Sequence, residues 1–148
     1  MAKIVFVDDH ELVMDSLKYL VEQESDHEVV GKFVNSELTR KFLLENSELV
    51  DLIVLDVKLP DANGIEFAKF IHDKYPAIKI IILSQFSHQE FILSGIRNGA
   101  SGYLLKSTDG EELTEAIEKV LNGKQYLCQE ATRVLVNSNQ GENLNLIL

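Results

Sequence analysis

The chain has 148 residues, 45% of them apolar and 26% charged, with a formal net charge of −10. That length and balance describe one globular domain with a single sizeable core. They exclude a bilayer-spanning helix, since no apolar run approaches about 20 residues, and the acidic excess works against nucleic-acid binding by this chain alone.

A single cysteine, Cys128, excludes an internal disulfide and reads as a small buried or linker residue in a reducing compartment. The N-terminus carries neither the basic region nor the long apolar stretch of a signal peptide, which points to the cytoplasm.

The first element is the run Ile4–Val7, which stops abruptly at Asp8-Asp9. Val13, Leu17, Leu20 and Val21 then fall at i, i+4, i+7 and i+8, one face of a helix. A second run spans Val29–Val34, and Ser36 can cap a helix over 36–46 that carries Leu38, Phe42 and Leu43. The third run, Leu52–Leu55, ends at Asp56. Phe67, Phe70 and Ile71 mark a helix that Pro76 terminates.

The fourth run, Ile78–Leu83, leads to Ser84. Phe91, Ile92, Gly95 and Ile96 mark a helix stopped by Asn98-Gly99. The short fifth run, Gly102–Leu105, leads to Lys106. Leu113, Ala116, Ile117, Val120 and Leu121 repeat the helical spacing until Asn122-Gly123.

Runs such as Leu-Ile-Val-Leu and Ile-Ile-Ile-Leu do not alternate with polar residues. They therefore suit strands covered on both faces of a parallel sheet. Five strands alternating with five helices predict an α/β fold: a doubly wound five-stranded parallel sheet, order 2-1-3-4-5, with helices on both faces. In such sheets functional groups gather beyond the carboxyl ends of the strands. Strand ends one, three, four and five would bring Asp8, Asp9, Asp56, Ser84 and Lys106 into one cleft.

Three carboxylates sharing a cleft cannot all stay ionised at neutral pH without cations. Lys106 supplies one positive charge and a hard divalent ion such as Mg²⁺ is the natural second.

Asp8-Asp9, Asp56 with Pro60 and Gly64 behind it, Ser84, Tyr103 and Lys106 stand in an order and spacing that resembles a two-component response regulator receiver domain. The likeness spans residues 3 to about 122. The stretch S-G-I-R-N-G-A-S-G-Y-L-L-K-S further resembles the subfamily carrying a LuxR/NarL-type helix-turn-helix.

The resemblance implies a flavodoxin-like receiver fold in which Asp56 accepts a phosphoryl group from the phosphohistidine of a sensor histidine kinase. It implies Mg²⁺ held directly by Asp9 and Asp56 and by the backbone carbonyl of Lys58, with Asp8 helping through water. Lys106 would pair with Asp56 and then with the phosphoryl oxygens. Ser84 would hydrogen-bond the new group, and Tyr103 would turn inward once Ser84 moves. Such a module is a signalling protein rather than an enzyme, although it assists its own phosphorylation and dephosphorylation. It also allows a homodimer on phosphorylation.

Departures from the family pattern are Gln85, where a small residue is frequent, Leu59 in place of Met, and Ser107 in place of Pro. A stand-alone receiver or a phosphorelay shuttle is the alternative within signalling. A haloacid-dehalogenase-type phosphatase would need a second Asp where Lys58 stands, and a flavodoxin would need a Ser/Thr/Gly-rich loop where D-D-H-E-L stands.

Ordinary roles compete for several residues. Seen singly, Asp8 and Asp9 suit a helix N-terminus, Asp56 a strand-end turn, Ser84 a cap, Lys106 a solvated cation and Tyr103 a partly buried sheet-edge position. His10, His27, His72 and His88 lack metal-ligand spacing and read as surface residues, with His10 and His88 bordering the cleft. Glu111, Glu112, Glu115 and Glu118 read as a solvated helix face.

Residues 1–123 are then the receiver. Residues 124–148 hold a further helix over Gln129–Val136, a linker N-Q-G-E-N and an apolar tail with Leu144, Leu146, Ile147 and Leu148. That tail, with the subfamily likeness, leads to the expectation of a basic C-terminal helix-turn-helix domain beyond Leu148, through which alone DNA would be bound.

Overall fold

A computed structural model describes residues 1–107 and 109–137. Its elements run β1 Lys3–Val7, α1 Glu11–Glu24, β2 Glu28–Phe33, α2 Ser36–Asn46, a 3₁₀ turn Ser47–Leu49, and β3 Leu52–Leu55. They continue with α3 Gly64–Lys74, β4 Lys79–Ser84, α4 Gln89–Arg97, β5 Gly102–Leu105, α5 Gly110–Leu121, β6 Tyr126–Leu127 and α6 Gln129–Asn137. The sheet is parallel, in the order β2-β1-β3-β4-β5-β6.

The doubly wound α/β architecture is the expected one. Ile4–Val7, Leu52–Leu55 and Ile80–Leu83 are buried along their whole lengths, as strands covered on both faces must be. The expected helix over Gln129–Val136 is present as α6, while the linker and the apolar tail lie outside the described residues.

The sixth strand corrects the expected count. After α5, Gly123 adopts φ +86, and its N–H bonds the Val120 carbonyl to close the helix. The chain then runs along the outer edge of β5, where Tyr126 N–H donates to Ser101 O at 2.9 Å and Cys128 N–H to Tyr103 O at 3.0 Å. Two residues, Tyr126 and Leu127, form the strand. Such a short element carries no apolar run for a pattern to detect.

β6 changes the setting of Tyr103, which faces Leu127 in the register. Tyr103 is fully buried, not a partly buried edge residue. α6 packs over the same end of the sheet, against α4 and β5, and its first turn is tied down by Ala131 N–H donating to Cys128 Sγ at 3.4 Å.

α2 is capped by Asn35 rather than Ser36: Asn35 Oδ1 accepts from Leu38 N–H at 2.9 Å. The Ser36 hydroxyl is instead engaged by Asp61, 25 residues away. Asp61 accepts from Ser36 N–H, the Ser36 hydroxyl and Glu37 N–H at 2.9, 2.9 and 3.0 Å. Desolvation acts to raise the Asp61 carboxyl, but these hydrogen bonds outweigh it and hold the group below the usual carboxylate range. Of the apolar residues that this helix carries, Leu38 is exposed, whereas Leu43 is buried.

His27 is not a surface residue. Its Nδ1 accepts from Ala2 N–H at 2.9 Å, its Nε2 pairs with Glu118, and its side chain is almost wholly covered. His72 and His88 are exposed.

The bend after Asp56 is closed by an isolated antiparallel bridge between Lys58 and Asn63 and by Gly64 N–H donating to Val57 O at 2.6 Å. Asn63 caps α3 through bonds from Ile65 and Glu66 N–H. A Cβ at Gly64 would lie 2.1 Å from the Asp56 carbonyl oxygen and 2.6 Å from Val57 Cα. Both obstacles are backbone and cannot yield as a side chain would. Gly64→Ala is therefore expected to destabilise the protein by about 3 kcal/mol or more in urea unfolding.

Candidate functional site

Backbone hydrogen bonds between neighbouring strands set the site. Asp56 N–H donates to Val7 O at 2.9 Å, so the strand end carrying Asp56 lies directly beside the one carrying Asp8. Asp8 N–H donates to Phe33 O at 3.0 Å, and Lys106 N–H to Ser84 O at 2.8 Å. Adjacent parallel strands thus deliver all the predicted side chains to one end of the sheet.

Lys106 joins the buried carboxylates. Its Nζ lies 2.8 Å from Asp8 Oδ2 and 3.0 Å from Asp56 Oδ2, and all three side chains are almost wholly covered. Asp9 turns outward, with its side chain 41% exposed. Lys58 N–H approaches Asp56 Oδ1 at 3.3 Å.

Burial raises the Asp56 carboxyl above its ordinary value. The hydrogen bond from Lys106 opposes this, the Asp8 charge adds to it, and the net shift is upward. For Lys106, desolvation acts downward but the bonds to Asp8 and Asp56 outweigh it, so the ammonium is held above its usual value.

The cleft above these groups has a volume of about 460 Å³ and is bordered by Asp9, His10, Asp56, Lys58, Gln85 and Phe86. His10 belongs to the site itself, which its expected surface position understated. Its Nδ1 lies 2.8 Å from Asp8 Oδ1, 3.1 Å from Asp9 Oδ1 and 3.1 Å from Lys106 Nζ. The available signal was its place directly after Asp9.

One ligand atom each from Asp8, Asp9, His10 and Asp56 fits within 4.8 Å. Three carboxylates against one ammonium leave an excess of negative charge. A set of hard oxygen donors at that spacing could hold a divalent cation.

Ser84 is fully buried, and its Oγ accepts from Phe86 N–H at 2.9 Å. The Tyr103 hydroxyl donates to Phe86 O at 2.5 Å. The Tyr103 ring is thus already inside, and burial pushes its phenol up against the opposing effect of a hydrogen bond with Ser84. The Phe86 ring packs on Phe91, with centroids 5.4 Å apart, and lies 6.0 Å from Lys58 Nζ. Ser84, Phe86 and Tyr103 form a continuous bonded path from the cleft to β5.

Asp61 also escaped the sequence reading. It anchors the bend after Asp56 to α2, and no local pattern announces a partner 25 residues away.

Residues 4–118 match the family model described as the response regulator receiver domain. The chain is 33% identical over 137 residues to the nitrate/nitrite response regulator protein NarL of Escherichia coli, covering 93% of this chain and 62% of that protein. It is 33% identical over 141 residues to the DNA-binding transcriptional activator DevR/DosR of Mycobacterium tuberculosis, covering 95% of this chain and 64% of that protein. It therefore spans less than two thirds of these relatives. The crystal structure of a LuxR-family two-component response regulator from Aurantimonas sp. superposes with a TM-score of 0.86 at 30% identity, covering 92% of this chain and 96% of that one. The chain belongs to the response regulator receiver domain family, of the LuxR/NarL type.

Proposed function

We propose that this chain is the phosphoacceptor module of a two-component regulator, in which Asp56 receives a phosphoryl group from the phosphohistidine of a sensor histidine kinase. The observation that carries this reading is the Lys106 ammonium held 2.8 and 3.0 Å from the Asp8 and Asp56 carboxylates beneath an open cleft.

Phosphoryl transfer depends on alignment and on neutralising charge over the transferring oxygens. Asp56 lies at the base of the cleft, and its Oδ2 is oriented by Lys106. Lys106 then follows the charge from the carboxylate to the phosphoryl oxygens. Asp8, Asp9, Asp56 and the Lys58 backbone carbonyl would hold Mg²⁺. When bound, that ion supplies the positive charge that lets an anionic carboxylate approach an anionic donor. The same residues assist loss of the group to water.

Ser84 Oγ gains a strong anionic acceptor once Asp56 is modified. Because that oxygen also accepts from Phe86 N–H, its reorientation pulls on the loop that holds Tyr103. The signal is a shift between populated states rather than a new fold.

Homodimerisation on phosphorylation and DNA binding through a further C-terminal domain complete the proposal. Support for the latter comes from DevR/DosR, a DNA-binding transcriptional activator of which this chain matches 64%. A cytoplasmic location accords with the single cysteine. No helix among the described residues is long and apolar enough to cross a membrane.

With Mg²⁺ and acetyl phosphate, intact-mass spectrometry should show one phosphoryl group on the wild type and none on Asp56→Asn, and a chelator should suppress labelling. Equal labelling of both proteins would refute the assignment. Ser84→Ala should still accept the group, while amide shifts around Tyr103 that accompany modification of the wild type should be largely lost. Shifts of equal size in both proteins would remove Ser84 from the path.

Burial of the Asp56 carboxylate, with the Asp8 charge adding to it, predicts a stability effect of definite sign. A carboxyl whose folded value is raised contributes stability that is present at low pH and lost as pH rises through that value. In chelator at neutral pH, Asp56→Asn should therefore melt above the wild type, by about 2–4 °C per ~1 kcal/mol of desolvation and repulsion relieved. Calorimetric scans should show the gap closing as pH falls below the ordinary carboxylate value.

A further inference from the structure

His10 occupies the N-cap of α1 but makes no side-chain cap bond. An N-cap side chain ordinarily turns back onto the N–H groups of the first helical turn. The His10 ring instead turns into the cleft. Its own backbone N–H donates to Asp8 Oδ1 at 2.9 Å, which fixes the bend that aims the ring there.

The two oxygens of each buried carboxylate are divided. Lys106 takes Oδ2 of both Asp8 and Asp56. Asp8 Oδ1 and Asp9 Oδ1 are left facing His10 Nδ1, at 2.8 and 3.1 Å. A neutral imidazole carries one N–H, so Nδ1 can donate well to only one of these carboxylates at a time. A cation shared by Nδ1 and both oxygens serves all three. Neighbouring ligands of an octahedral ion with bonds of about 2.1 Å stand about 3.0 Å apart, close to both observed separations.

We propose that His10 Nδ1 is a nitrogen ligand of the cation held by Asp8, Asp9 and Asp56, so that the site prefers a first-row transition ion such as Mn²⁺, Fe²⁺ or Co²⁺ over Mg²⁺. The inference rests on the reading of these carboxylates as cation ligands. Mg²⁺ takes oxygen donors, whereas imidazole suits the transition ions, and affinity for a mixed nitrogen and oxygen set rises along the first row. The ring is half exposed, so the opposite nitrogen can carry its hydrogen toward solvent. Lys106 Nζ, 3.1 Å from Nδ1, is the internal competitor for the same lone pair. It retains its two carboxylate oxygens when the cation takes that lone pair.

The test uses the whole chain without phosphodonor, titrated calorimetrically with Mg²⁺ and with Co²⁺. The wild type should bind Co²⁺ more tightly than Mg²⁺. His10→Asn should lose roughly tenfold or more in Co²⁺ affinity while its Mg²⁺ affinity changes by less than about threefold. With Co²⁺, the wild type should show a paramagnetically shifted imidazole proton that His10→Asn lacks.

Asp9→Asn separates the nitrogen ligand from the carboxylate site. Loss of both ions in Asp9→Asn, with Co²⁺ and Mg²⁺ affected equally or not at all in His10→Asn, overturns the nitrogen ligand and leaves the carboxylate site standing. Undiminished binding of both ions by Asp9→Asn overturns the carboxylate site, and the nitrogen ligand with it.

Discussion

Asp8 and Asp56 leave neighbouring strands side by side, and their carboxylates are buried within reach of one ammonium, that of Lys106. Without a cation between them the strand ends would repel each other across a region of low dielectric. The rest of the architecture follows from keeping that ammonium in place. Lys106 directly follows β5, which sits one strand beyond β4, and β4 lies beside β3. Removing the Lys106 ammonium would leave two buried carboxylates uncompensated, a far larger cost than loss of a surface pair.

The bend after Asp56 shows how local chemistry supports that arrangement. Gly64 lets α3 approach the backbone of Asp56 and Val57 more closely than any other residue could. Asp61 then ties the outside of the bend to the first turn of α2. Together these contacts position Lys58, whose N–H faces Asp56 Oδ1. The residues around the cleft are thus constrained by α2 and α3, which pack on each other through Arg40 over the Phe67 and Phe70 rings.

The strands covered on both faces were legible because a short, unbroken run of β-branched and leucine side chains suits a doubly covered strand better than any amphipathic element. β1, β3 and β4 follow the predicted runs closely. Asp8, Asp9, Asp56, Ser84 and Lys106 were legible for a related reason: each directly follows or closes such a run, and the parallel order brings the ends together. What escaped has no periodic signature. β6 is two residues long, Asp61 and His27 find partners far along the chain, and the Asn35 cap competes with an equally suitable Ser36. Tyr103 was misplaced because its cover comes from β6, the strand that the pattern did not contain.

Cys128 is the only cysteine in the sequence, and its thiol is buried where β6 passes into α6. Its N–H is bonded to Tyr103 and its sulfur to the first turn of α6. A thiol reagent reaches that sulfur only when this corner lifts from β5. The rate of alkylation therefore counts openings of the segment behind Tyr103, separately from global unfolding. The protein carries, on the far side of that tyrosine, a built-in chemical clock for how often the corner comes undone.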